Sequence, residues 1–216
     1  MEKNFFDLTD MITELQLRGM SKHTISNYLR INQRFLKKVD KEPKTVEEQE
    51  IKNYLANLIA EGKSPATVNL TRSAILFLQN EVLERGFVKI KTPKIPRKLP
   101  VVLTKSEVRS LLVACKSNKA KLLVKLLYAS GLRISECLSL KVEDLELNER
   151  IAWVRGGKGG KDRMVILSNV LIDDLRHHML DESIDEGVIF PGINGSMTAR
   201  NANGLISRAA RRAGIK

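Results

Sequence analysis

The sequence is short of the residues that build most active sites. Its two cysteines, Cys115 and Cys137, are too few and too far apart for a disulfide framework or a metal cluster. Both fall in apolar helical patterns, where a thiol is expected to be buried and inert. There are three histidines. His177 and His178 are adjacent on an amphipathic helix and face different directions, which argues against a joint metal or catalytic role. No apolar run approaches the roughly 20 residues of a membrane span. The opening MEKNFFD lacks the basic-then-apolar order of a signal peptide. A cytoplasmic protein is expected, with no membrane partner and no metal site. Aromatic residues make up only 5% of the chain, and its tyrosines are Tyr28, Tyr54 and Tyr128, with none in the last 88 residues.

Positive charge, in contrast, is abundant: 37 Lys and Arg against 25 Asp and Glu, a formal net charge of +12. An excess of this size points to a polyanionic partner, usually nucleic acid. The excess is uneven. Residues 1–90 carry a net +2, residues 91–105 a net +5 with no acid at all, and residues 106–216 a net +5. The dense middle stretch is also proline-rich, with Pro93, Pro96 and Pro100 in KTPKIPRKLP. Proline at this spacing favours an extended, semi-rigid chain, so 91–103 reads as a basic strap between a domain at 1–90 and another at 104–216.

Residues 1–90 read as a helical bundle. Apolar periodicity marks helices over 4–17, with Phe5, Leu8, Met11, Ile12 and Leu15 inward; from a Ser21 cap to 39; and from a Thr45 cap to Gly62. A fourth starts with Ser64 and Pro65 and runs to Gly86. Two of these helices open on polar faces, Lys22, His23, Asn27, Arg30 and Arg34 on one, Lys63, Thr67, Asn69 and Arg72 on the other. These residue types reach phosphates and base edges in a major groove, although such faces also occur on many bundles. Beyond the strap, TKSE at 104–107 is a capping box opening a helix to 115. Next come a helix over 120–130, apolar nearly all round and so expected to be buried, carrying Tyr128, and another over 134–140. A hairpin of 151–154 and 164–167, a helix over 170–179, an extended piece at 187–190 and a basic helix over 198–213 complete the pattern.

The chemistry concentrates in YASGLRISE at 128–136 and RGGKGGKDR at 155–163. Gly131 ends one helix and Arg133 emerges at the start of the next, where backbone N–H groups and the helix dipole favour anions. The second motif is a strand, a cation-bearing glycine turn and a strand. It lacks the GxxxxGK[ST] order and the strand-to-helix context of a nucleotide-binding loop. Arg133 with Glu136 could be a plain surface ion pair, and Lys158 a solvated turn residue.

These motifs, in this order and spacing, resemble the tyrosine recombinases of the phage-integrase superfamily, and the Xer-type members most, with an archaeal flavour in the hairpin. The resemblance covers essentially the whole chain. Ser21-x-x-Thr24 resembles the helical core-binding domain, Leu99-Pro100-x-x-Leu103-Thr104 the linker and first catalytic-domain helix, Gly131-Leu-Arg133-Ile-Ser-Glu136 the motif of the first catalytic arginine, and Gly157-Lys158-Gly159 the hairpin of the catalytic lysine. It implies a mainly α fold with a small β-hairpin, a helical DNA-binding domain followed by an α+β catalytic domain. It also implies a site-specific recombinase that attacks a DNA phosphodiester with a tyrosine, without metal or cofactor, as in chromosome-dimer resolution or in integration and excision of elements. Arg133 would activate the phosphate and Lys158 protonate the leaving oxygen. The expected DNA contacts are Lys22, His23, Asn27, Arg30, Arg34, Thr67, Asn69, Arg72, Lys94, Arg97, Lys98, Lys161, Arg163, Arg200 and Arg208. The expected partner is double-stranded DNA at a specific site, bound as a tetramer on two sites.

The sequence departs from the family pattern in one respect. The family continues with a His-x-x-Arg motif and a nucleophilic tyrosine, and neither is found here, so the chain is expected to be a recombinase whose catalytic domain, 104–216, lacks its C-terminal part, and to be inactive alone. The alternative is a non-catalytic DNA-binding protein on the same scaffold that regulates recombination.

Overall fold

A computed structural model describes residues 6–87, 90–96, 99–157, 161–193 and 195–215. The chain forms two compact units, Met1–Leu99 and Pro100–Lys216.

The first unit is a helical bundle. Helix α1 (Thr9–Leu17) starts five residues later than periodicity suggests, because Asp7 turns the chain by accepting the Thr9 N–H at 3.0 Å and its hydroxyl at 2.6 Å. Phe5 lies outside the described residues. Helix α2 (Lys22–Val39) opens on Ser21, whose side chain accepts the Thr24 N–H, and ends at Asp40 in the left-handed region. Thr45 is not the cap of the third helix. It closes a 3₁₀ turn after Pro43, donating its hydroxyl to the Glu42 carbonyl, and α3 (Glu48–Ala60) begins instead on a Glu47–Glu50 capping pair. Helix α4 (Pro65–Leu76) has the expected Ser64 cap, but over Phe77–Val82 it widens into a π-helix rather than running on to Gly86. The widening turns Gln79 fully inward, where its amide donates to the Pro43 carbonyl at 3.1 Å. Met11, Leu15, Phe35, Leu36, Ile51 and Ile75 are fully buried at the centre. Asn32 joins α2 to α4 there, donating to the Tyr28 and Ala74 carbonyls at 3.0 and 2.9 Å.

The second unit packs helices around a small sheet. Helix α5 (Lys105–Ala114) starts on the expected capping box: Thr104 Oγ1 accepts the Glu107 N–H and Glu107 Oε2 the Thr104 N–H. Helix α6 (Asn118–Ser130) starts earlier than expected, capped by Ser117. It buries Leu122, Leu123 and Leu126, but Tyr128, expected on a buried helix, is 59% exposed. Helix α7 (Ile134–Ser139) follows. Strands β1 (Leu145–Glu146), β2 (Ile151–Val154) and β3 (Arg163–Ile166) form an antiparallel sheet in that order, with Val154 opposite Arg163. Periodicity does not reveal β1, which is two residues long. Helix α8 (Asn169–Asp181) is capped by Ser168. The 187–190 stretch makes only a bridge from Val188 to Lys141, and the strands there are β4 (Pro191–Gly192) and β5 (Gly195–Ser196). Helix α9 (Ala199–Arg212) ends on Arg212, which donates twice to the Ala114 carbonyl and so closes the C-terminus of α5. Both cysteines are buried, and burial pushes the Cys137 thiol up to about 12.

Candidate functional site

The second unit's site begins with a chain reversal. Gly131 sits at φ 63°, a conformation that costs glycine little, and donates its N–H to the Leu127 carbonyl to end α6. Leu132, 5% exposed, pins the next residue to the core. Arg133 then caps α7 with an extended backbone, and its side chain is 57% exposed.

What fixes that arginine is Glu136. Its side chain is only 7% exposed. Oε2 accepts the Arg133 backbone N–H at 2.9 Å and Oε1 the Arg133 Nη1 at 2.7 Å. From β3, Arg163 reaches the same carboxylate with both nitrogens, Nη2 to Oε2 at 2.6 Å and Nη1 to Oε1 at 3.1 Å. The Arg163 hydrogen bonds, foremost, and then those from Arg133, hold the Glu136 carboxyl down at about 2, against the opposing pull of burial. The Arg133–Glu136 pair is therefore more than a surface contact: one carboxylate orients two guanidiniums from different elements. Among the described residues Arg133 makes no other hydrogen bond, so Nε and Nη2 remain for an incoming oxyanion.

The hairpin stem belongs to the same cluster. A Cβ on Gly157 would lie 2.9 Å from the Lys161 carbonyl oxygen, 3.2 Å from Arg163 Nη1 and 3.5 Å from Glu136 Oε1. Only glycine lets the strand pass so close to the carboxylate. Asp162 steadies the turn by accepting the Gly156 N–H at 2.8 Å, and Arg155 stacks 5.2 Å over Trp153. Lys158, the residue after Gly157, lies outside the described residues. Lys161 is exposed. Arg163, expected as a DNA contact, is committed to Glu136. Arg200 and Arg208 are exposed on α9.

In the first unit, Lys22, His23, Arg30 and Arg34 are exposed and Asn27 half-buried on α2. Asn27 sits between neighbours: its Nδ2 is 2.9 Å from His23 Nε2, and its Oδ1 accepts from Arg30 Nη2 at 3.0 Å. On α4, Lys63 and Thr67 are exposed. Asn69 and Arg72 are turned to the chain that follows the bundle, binding Pro93, Ile90 and Thr92. Lys94 is exposed, whereas Arg97 and Lys98 lie outside the described residues. Sequence reasoning missed Glu136 as the hub, Gly157 as its neighbour and Thr92. The i+3 spacing hinted at the first of these; the others join residues about 20 or more apart.

Residues 101–216 match the phage integrase family, and residues 8–87 match the phage integrase N-terminal SAM-like domain. Among curated proteins, the chain is 34% identical over 186 residues to "Tyrosine recombinase XerA" of Pyrococcus furiosus, covering 85% of this chain and 64% of that protein. It is 32% identical over 211 residues to the protein of the same name from Thermococcus kodakarensis, covering 94% and 73%. The chain thus spans roughly two thirds of the length of these relatives. Of solved structures, a lambda integrase dimer bound to a COC′ core site superposes with a TM-score of 0.74 at 19% identity, over 97% of this chain and 81% of that one. A lambda integrase tetramer bound to a Holliday junction gives 0.70 at 18%, over 99% and 66%. These likenesses bear out the expected architecture of a helical N-terminal domain and a mixed second domain. The chain belongs to the phage integrase family and, within it, to the Xer-type tyrosine recombinases.

Proposed function

We propose that the protein is a site-specific DNA recombinase that cuts and rejoins duplex DNA through a 3′-phosphotyrosyl intermediate. The observation that carries this reading is the guanidinium of Arg133, held by a buried carboxylate with two nitrogens left open beside a glycine-rich hairpin. Preorganised donors of this kind stabilise charge that develops on a phosphoryl group. In the reaction a tyrosine oxygen bonds to phosphorus as the bond from phosphorus to the 5′-oxygen breaks. The tyrosine gives up its proton, and the 5′-oxygen takes one from Lys158. Rejoining runs the same steps backwards, so no net energy source is needed. The likeness to the XerA recombinases supports the reaction class, and the DNA-bound dimer and tetramer of lambda integrase support duplex DNA as partner and a tetramer as the working assembly.

The chain's own tyrosines do not fit the nucleophile. Tyr28 and Tyr54 pack edge-on against Phe77 and Phe35 inside the bundle, and Tyr128 points outward from α6. We place the nucleophile outside these 216 residues. The test is a nicked suicide substrate carrying the recombination site, incubated in EDTA. The whole protein should form a covalent protein–DNA adduct and the 216 residues none. Arg133→Ala should abolish the adduct while leaving DNA binding close to wild type. Lys158→Ala should regain cleavage on DNA whose 5′-bridging oxygen is sulfur, because a thiolate leaves without protonation. An adduct from the 216 residues, or no rescue by sulfur, would overturn the corresponding assignment.

A further inference from the structure

The basic strap does not begin where the bundle's helices end. Asn80 first captures the returning chain, donating to the Phe87 carbonyl at 3.0 Å and accepting the Phe87 N–H at 2.8 Å. Ile90, 7% exposed, then inserts into the bundle core. Next comes a closed set of side-chain bonds on α4. Asn69 Nδ2 donates to the carbonyls of Pro65 at 2.8 Å and Pro93 at 2.9 Å, and its Oδ1 accepts the Thr92 hydroxyl at 2.7 Å. Arg72 Nη1 donates to the Ile90 carbonyl and to Thr92 Oγ1, both at 3.2 Å. Thr92 is therefore donor to one helix residue and acceptor from another. Pro93 has no N–H to lose, and its carbonyl is taken. The next residue, Lys94, is exposed.

We propose that Asn69, Arg72 and Thr92 form a clasp that fixes residues 90–93 on the bundle before DNA arrives, making them positioning residues for Lys94 rather than readers of bases. The inference rests on the DNA-binding reading above. A lysine on free chain must be ordered when it meets a phosphate, whereas one anchored at its preceding residue is ordered in advance, and affinity rises without an added contact. A base reader needs its side-chain amide or guanidinium open toward the groove. Here both heavy atoms of the Asn69 amide are engaged, and Arg72 Nε is buried without a partner.

Two measurements on the 216-residue protein test this. Limited trypsin digestion reads the clasp without DNA. Cleavage after Lys91 should be slow in wild type and in Thr92→Ser, which keeps the hydroxyl, and at least about threefold faster in Thr92→Val and Asn69→Asp, where clasp bonds are lost. Equal rates in all four proteins would overturn the clasp. Binding to duplex DNA across a salt series then reads its consequence. Thr92→Val should lose about three- to tenfold in affinity with an unchanged salt slope and unchanged ranking of sites. Lys94→Ala should instead lower the slope by about 0.9. A changed ranking of sites in Asn69→Asp or Arg72→Lys would make those residues base readers and overturn the proposal. If wild type binds no duplex DNA at all, the DNA reading falls and the consequence falls with it, while the trypsin result still judges the clasp.

Discussion

The two units present their cations in opposite ways. On α2, Lys22, His23, Arg30 and Arg34 stand in solvent, and among the described residues Asn27 is hydrogen-bonded only to His23 and Arg30 on its own helix. In the second unit, Arg133 and Arg163 come from a helix cap and a strand and converge on one buried carboxylate. The first arrangement suits charge that must follow a long, uneven partner. The second suits charge that must be in place to within a fraction of an ångström before a reaction. If that contrast is real, substitutions in the hub should reach the fold, and substitutions on α2 should reach only binding.

The largest effect is expected at the hub. Glu136→Ala leaves two guanidiniums facing each other and should lower stability by about 2–3 kcal/mol in chemical denaturation. This is less than for a fully enclosed pair, because both arginines touch solvent. Because the Glu136 carboxyl titrates at about 2 in the folded chain rather than near its ordinary 4.5, its contribution is complete above pH 4.5 and is lost as pH falls toward 2. The stabilities of wild type and Glu136→Gln should therefore converge over that window; a gap that stays constant would mean that the charge of Glu136 is not what matters. Gly157→Ala comes next, at about 1–2 kcal/mol, since the new Cβ meets the Lys161 backbone oxygen at 2.9 Å and the hairpin stem must shift. A tolerated alanine would show that the stem has more room than its geometry allows.

On α2 the effects shrink. Asn27→Ala should alter preference among DNA sites by about 1 kcal/mol, read by competition between sequences. Lys22→Ala and Arg30→Ala should leave stability within about 0.5 kcal/mol and each lower the salt slope of binding by about 0.9. A loss of fold in either would erase the contrast between the units.

Much of this organisation was readable in advance. Helices with a 3.6-residue apolar period and a Ser or Thr at the N-cap, such as those opened by Ser21, Ser64 and Thr104, depend on neighbours along the chain, so their signals are local. The π-helical turn at Phe77–Val82 and the two-residue β1 have no such signal, because packing decides them. The site followed the same division. Arg133 was visible from Gly131 two residues before it. The commitment of Arg163 to Glu136, 27 residues away, was not, and Arg163 on its own reads as one more cation for DNA. The bonds of Asn69 and Arg72 were hidden for the same reason: their partners Thr92 and Pro93 follow about 20 or more residues later.

The hub also has a net charge. Two guanidiniums and one carboxylate leave it at +1. A single phosphodiester seated on Arg133 would bring the ensemble to neutrality, so the resting substrate is already matched. A phosphorane bears a second negative charge, and toward that species the hub is one unit short. On the reaction proposed above, the missing unit is left to other cations, Lys158 and the arginine of the family's His-x-x-Arg motif. On that proposal, Glu136 limits how tightly the ground state is gripped and reserves the larger attraction for the state being crossed.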